Sequence, residues 1–257
     1  MTNPFFSLSP AHWALAMLGA FVVGLAKTGI SGLSILFVAL FALVIPGKQA
    51  TGVVLPLLIF GDIVAVLSYR SHAQWQFLWK LFPSTAIGVV LGSWALGRIS
   101  DNGARMLVGG IICALALLSV ALKGRSASPD EGAGTLRWLL APLIGVAAGF
   151  ITLIANAGGP IMAIYFVSMR LPKMQFMGTV AVFFLLLNIF KVPFIAHLGL
   201  ITADSLELNL ALLPAVLIGT LAGRRLLRHI NQKAFESVVL ALSAAAGLLM
   251  LLGSLRN

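Results

Sequence analysis

Apolar runs close to the length of a bilayer crossing recur along almost the whole chain. They lie near 11–26, 32–45, 51–69, 76–97, 105–122, 137–154, 160–170, 174–195, 206–227 and 234–255. A helix needs about 20 apolar residues to cross the hydrocarbon core, and lipid offers no hydrogen-bond partners to an open backbone. The sequence therefore predicts an all-α polytopic membrane protein of 8 to 10 membrane segments, forming a single domain over residues 1–257.

Charge is scarce and unevenly placed. Only 9% of the residues are charged, against 60% hydrophobic, yet the formal net charge is +10. In a soluble protein this excess would suggest nucleic acid, but here most Lys and Arg residues fall in the short connections that set membrane topology. We expect a multi-pass protein of the bacterial inner membrane that has the lipid bilayer as its surroundings and no nucleic-acid partner. The loop around Arg224 to Lys233 is predicted to be cytoplasmic.

The chain reads as two similar halves: repeat 1 over about 11–122 and repeat 2 over about 138–255, joined by a polar linker at 123–137. With a shift of 126 residues, the pairs that match or nearly match are Gly32 with Gly158, Pro46 with Pro172, Gly52 with Gly178, and Asp62 with Asn188. With a shift of 131 residues, Pro83, Gly88 and Gly92 meet Pro214, Gly219 and Gly223. Ordered Pro and Gly matches indicate an internal duplication.

Two orientations of the halves remain open. If each half begins with a broken helix that makes two passes, or with a hairpin that dips into the membrane, each half crosses an odd number of times and the repeats are inverted. If each broken stretch is one kinked span, the repeats are parallel. The distribution of basic residues favours inversion.

Glycine-rich breaks interrupt corresponding apolar stretches in the two halves, at residues 26–32 and 154–160. Broken segments in equivalent repeats are typical of a substrate site near the bilayer midplane, where free helix ends supply dipoles. Pro160 suits the start of a helix whose amides point into the break, and Ser31 or Gly32 could cap the corresponding helix. The alternative is that these glycines only let helices cross closely.

Ionisable residues inside apolar runs form a second signal, because burying charge in a membrane is costly. The three candidates are Lys27, Asp62 and Lys191. Lys27 could attract an anion at the first break or could extend to the membrane surface. Asp62 could couple transport to an ion, or form a structural ion pair with either lysine. Asn188 and Lys191 are three residues apart, which places them on one helix face.

The sequence contains no recognisable motif for catalysis or for metal binding. The four histidines are scattered, Cys113 is the single cysteine, and no phosphate loop, nucleophile elbow or acid–histidine pairing is recognisable. The sequence therefore predicts neither an enzyme nor a metal or other cofactor.

The second half carries a family resemblance. It rests on the stretches from Gly149 to Pro160, Leu171 to Pro172, Phe176 to Thr179 and Asn188 to Lys191. These motifs resemble the sulfite exporter TauE/SafE family, also called toluene-sulfonate uptake permeases, and the stretch from Gly24 to Asp62 is similar to a degenerate first half. The first break departs from the family's glycine-rich run, which puts ligand identity in question.

The resemblance implies a secondary transporter of small sulfur-containing or organic anions such as sulfite, sulfonates or sulfoacetate. Alternating access would occur at the midplane, with a proton or sodium ion as possible coupling ion and a homodimer as possible assembly. A passive anion channel and a membrane scaffold subunit are the alternatives. Asp62 is the coupling candidate, and the expected substrate-binding residues are Lys27, Thr28, Gly29, Ser31, Gly32, Asn156, Ala157, Gly158, Gly159, Asn188 and Lys191.

Overall fold

A computed structural model describes residues 8–28, 33–45, 47–98, 100, 131–231, 233–235, 237, 238 and 241. This part of the chain forms helices and no strands, as the all-α prediction requires. The helices are α1 (Pro10–Thr28), α2 (Ser34–Val44), α3 (Gly47–Tyr69), α4 (Trp75–Leu96), α5 (Glu131–Ala155), α6 (Gly158–Ser168), α7 (Lys173–His197) and α8 (Ala203–His229).

Four of the described helical stretches are long and apolar enough to cross a membrane: Pro10–Thr28, Lys48–His72, Lys173–His197 and Ala203–His229. Each coincides with a predicted apolar segment. The predicted segment at 105–122 and most of the one at 234–255 lie outside the described residues, so the predicted total of 8 to 10 segments stays a prediction.

The central linker is shorter than the sequence indicates. Helix α5 begins at Glu131, so the end of the predicted 123–137 linker is helical, and residues 123–130 lie outside the described part. Gly and Ser residues suggest a loop, but the helix continues from the apolar run that follows.

Close helix crossings at glycines join elements that are distant in sequence. A Cβ atom on Gly24 of α1 would collide with the Val216 carbonyl of α8, and one on Gly219 of α8 would collide with the Phe21 carbonyl of α1. Backbones approach this closely only where side chains are absent, as in membrane helix pairs generally.

A matching crossing joins α4 to α5. A Cβ atom on Gly88 would strike the Val146 carbonyl, and one on Gly149 would strike the Thr85 carbonyl. At both crossings the glycines allow two helix backbones to pack closely.

Helices α3 and α7 run in opposite directions through the middle of the bundle. Gly52, near the start of α3, lies against Leu200 just beyond the end of α7. Gly178, near the start of α7, lies against Tyr69 and Ala73 at the end of α3. The two helices are therefore antiparallel, and their midpoints meet near Asp62 and Asn188.

Substitution at a crossing tests this packing. We expect Gly149→Ala to lower the free energy of unfolding by about 1–3 kcal/mol, because the added methyl overpacks a backbone contact. Gly97→Ala is the matched control, since a Cβ atom there has no neighbour within 4 Å. Thermal unfolding in detergent measures both variants, and equal melting temperatures would contradict the crossing.

Candidate functional site

The second break is a sharp turn between α5 and α6, centred on Asn156. Its backbone is left-handed, with φ 51°, while its amide still donates to the Thr152 carbonyl at 3.0 Å and so ends α5. Asn tolerates this conformation better than most residues. The choice of Asn at this position therefore serves the backbone as well as the site.

The Asn156 side chain joins the break to two central helices. Its Nδ2 donates to the Thr51 carbonyl of α3 at 3.1 Å, and its Oδ1 accepts from Lys191 Nζ of α7 at 2.6 Å. In return, Thr51 Oγ1 donates to the Ile154 carbonyl at 3.1 Å. The turn is thus fixed in position on both sides.

Lys191 has no exposed surface. Its ammonium group donates to Asn156 Oδ1 at 2.6 Å and to Asn188 Oδ1 at 3.2 Å, which confirms that Asn188 and Lys191 share a helix face. Both acceptors are neutral. A fully buried lysine amino group therefore rests on amide oxygens beside the break.

Asp62 is the buried carboxylate of the same network. Its Oδ1 lies 2.7 Å from Lys27 Nζ, and its Oδ2 accepts from Asn188 Nδ2 at 2.6 Å. Asn188 therefore bridges the Lys27–Asp62 ion pair to Lys191. Of the two lysines the sequence offers as partners for Asp62, the structure shows contact with Lys27.

Lys27 turns inward from the end of α1. Its ammonium group lies 4.7 Å from the centroid of the Phe184 ring, and its side-chain stem packs over Gly61, where a Cβ atom would lie 3.1 Å from Lys27 Cγ. Ring and carboxylate together stabilise the cation away from water. This inward position differs from the surface-directed alternative.

The start of α6 provides further donors near Lys191. Ala157, Gly158, Gly159 and Pro160 are all buried, and no side chain caps the helix at its N-cap residue Ala157. The first amides of a helix have no partner within it. The helix starts at Gly158, two residues before the predicted start at Pro160, which is tolerated because Pro fits the first turn.

The first break is only partly described, because Gly29, Ser31 and Gly32 lie outside the described residues. Thr28 is described, and its hydroxyl donates to the Gly24 carbonyl at 3.1 Å and the Thr220 carbonyl at 2.7 Å. Its own carbonyl accepts from the Tyr69 hydroxyl at 2.8 Å. Thr28 therefore anchors the end of α1 to α3 and α8.

Sequence reasoning missed two aromatic members of this region, Tyr69 and Phe184. Both are buried. Tyr69 is one of only two tyrosines in the chain, but its position near a segment end suggests a membrane-surface residue instead. Phe184 precedes Asn188 by four residues, which is the spacing that could have linked it to the polar face.

The family model for the sulfite exporter TauE/SafE family matches residues 15–250. The chain belongs to this family. A search of curated proteins and a search of solved structures each returned no match. Family membership and the four long apolar helices make the chain a multi-pass membrane protein of a transporter family.

A double-mutant cycle tests the buried ion pair. We expect Asp62→Asn to lower the free energy of unfolding by about 3–5 kcal/mol, because it leaves Lys27 buried without a counter-charge. Adding Lys27→Met removes that orphaned charge and should recover most of the loss. Denaturation in detergent measures the cycle. Strict additivity of the two single changes would contradict a direct pair.

Proposed function

We propose that this family member is a secondary transporter of small sulfur-containing or organic anions, which it binds at the second break. The anion lies among Lys191, Asn156, Asn188 and the N-terminus of α6, with the Lys27–Asp62 pair alongside. The observation that carries the proposal is the fully buried amino group of Lys191, whose hydrogen-bond acceptors among the described residues are the neutral amide oxygens of Asn156 and Asn188.

The charge of the network supports an anion as ligand. In their ordinary ionised forms, Lys27, Lys191 and Asp62 together carry one net positive charge. Among the described residues, Asp62 and Lys191 are the charged residues that are buried, and the Lys27 side chain beside them is 12% exposed. An unbalanced buried charge is strongly unfavourable, so a bound monoanion would stabilise the site.

The geometry of the donors supports an oxyanion. A lysine ammonium has three N–H donors, and the contacts to Asn156 and Asn188 use two. The third, with the first amides of α6, would meet the several acceptor oxygens of a sulfite or sulfonate group. Amides at a helix N-terminus also favour negative charge through their dipole.

The antiparallel crossing of α3 and α7 supports inverted repeats. Asp62 and Asn188, which correspond at a shift of 126 residues, hydrogen-bond to one another, and Gly52 and Gly178 make equivalent contacts at opposite ends of the crossing. Helices related by an axis along the membrane normal would be parallel. An axis in the membrane plane makes them antiparallel, which is the arrangement of many alternating-access carriers.

Coupling, if present, would act through Asp62. Both of its oxygens are engaged, one by Lys27 and one by Asn188. Movement of α1 against α3 during transport would separate the carboxylate from Lys27, and it would then take a proton or a sodium ion in place of the ammonium group.

Loss of the Lys191 charge tests the binding site. We expect Lys191→Met to reduce uptake of sulfite or a simple sulfonate into proteoliposomes at least about tenfold, the loss of one charge-assisted contact or more. Lys80→Met is the matched control, because Lys80 is exposed on α4. Wild-type uptake by Lys191→Met, with normal folding, would refute the site.

Counterflow separates a carrier from a passive channel. We expect labelled methanesulfonate to accumulate transiently in proteoliposomes preloaded with unlabelled methanesulfonate, because alternating access exchanges bound ligands. The dianion sulfate should exchange more weakly, since it overcompensates the single positive charge. Ohmic currents without counterflow would favour the channel instead.

A further inference from the structure

A cluster of basic side chains closes the C-terminal end of α8. Arg224, Arg225, Arg228 and His229, together with Leu221, line a cleft of about 540 Å³. All five side chains are exposed. None of the hydrogen bonds or ion pairs made by the side chains of the proposed transport site involves this cluster, so the two sites are separate.

Carbonyl groups at the C-terminal end of α8 have hydrogen-bond partners other than the guanidinium groups. The Leu227 and Ile230 carbonyls accept hydrogen bonds from Lys173 of α7, and the His229 ring contacts the Arg225 carbonyl at 2.9 Å. Lys173 is thus the cation that caps this helix terminus. The guanidinium groups are not needed for that role, and no carboxylate of a described residue pairs with them.

An exposed apolar stripe leads along α8 to the cluster. Leu210, Ile218 and Leu221 are 67%, 61% and 56% exposed. Ile218 and Arg225 are seven residues apart, so they lie on the same helix face, with Leu221 between them. One ligand could therefore contact apolar side chains along the helix and guanidinium groups at its end.

At the end of α4, a single arginine, Arg98, contacts its own helix. Arg98 stacks on the Trp94 ring, 4.3 Å from its centroid, and donates to the Trp94 carbonyl at 3.0 Å. Its guanidinium is engaged by its own helix end. At a shift of 131 residues, Ser93, Trp94 and Gly97 correspond to Arg224, Arg225 and Arg228, so the cluster is specific to α8.

We propose that this cluster binds the headgroup of an anionic phospholipid, with the acyl chains along Leu210, Ile218 and Leu221. Guanidinium groups form paired hydrogen bonds with phosphate, and basic residues at the cytoplasmic surface attract anionic lipid. Free phosphate shares the headgroup chemistry, but it would make no use of the apolar stripe. The amphiphile is therefore the ligand that fits both parts of the surface.

Lipid retention tests the site in the full-length protein. Purified protein in detergent is titrated with phosphatidylglycerol, phosphatidylcholine, glycerol phosphate and inorganic phosphate, and bound lipid is counted by native mass spectrometry. We expect phosphatidylglycerol to bind at least about tenfold more tightly than phosphatidylcholine, since each basic residue at the surface favours anionic lipid several-fold. Added salt should weaken that preference, and both soluble phosphates should compete poorly.

The variants locate the binding. Replacing Arg224, Arg225 and Arg228 together by Gln should abolish the phosphatidylglycerol preference, whereas the control Arg98→Gln should keep it. If the triple variant does not fold, Arg225→Gln alone should lower the preference severalfold. Unchanged preference in the folded cluster variants, or equally tight binding of free phosphate, would overturn the proposal. These outcomes do not depend on anion transport.

Discussion

The fold is organised around the cost of keeping ionisable groups inside a membrane. Lys27, Asp62 and Lys191 are the charged residues that the sequence analysis singles out, and the structure brings all three into one network. Asn188 joins Asp62 to Lys191, Asn156 accepts from Lys191, and Lys27 pairs with Asp62, so each ionisable group has a polar partner inside the protein. Because these residues lie on α1, α3, the break after α5, and α7, a single requirement for buried polar contacts holds four parts of the chain together.

The network lies at the crossing of α3 and α7, where the two predicted repeats meet. Asp62 and Asn188, which the predicted repeats align with one another, contact each other directly, so the centre of the α3–α7 crossing is polar. On either side, glycine crossings bring α1 against α8 and α4 against α5. Close packing at small residues thus flanks a polar centre that contains two lysines and one aspartate. On our proposal, the substrate completes that charge balance.

Much of this could be predicted from the sequence, for identifiable reasons. Apolar length determines the helices, and the cost of charge singles out Lys27, Asp62 and Lys191. The shift of 126 residues predicts that Asp62 and Asn188 are equivalent, but not that they touch. Periodicity could not reveal the left-handed turn at Asn156 or its bond to Lys191, because both depend on how α3, α5 and α7 pack. Tyr69 and Phe184 were missed since aromatic residues are common in apolar helices, and the early start of α5 was missed because Gly and Ser residues suggest a loop.

The position of a bound oxyanion in a crystal tests directly whether the anion binds at the second break beside Lys191. Selenite is a close analogue of sulfite, and its selenium can be located by anomalous scattering in crystals of the protein. We expect an anomalous peak within hydrogen-bonding reach of Lys191 Nζ, between Asn156 and the first turn of α6, and no such peak in Lys191→Met crystals. A peak only at other positions, with an unoccupied second break, would contradict this expectation.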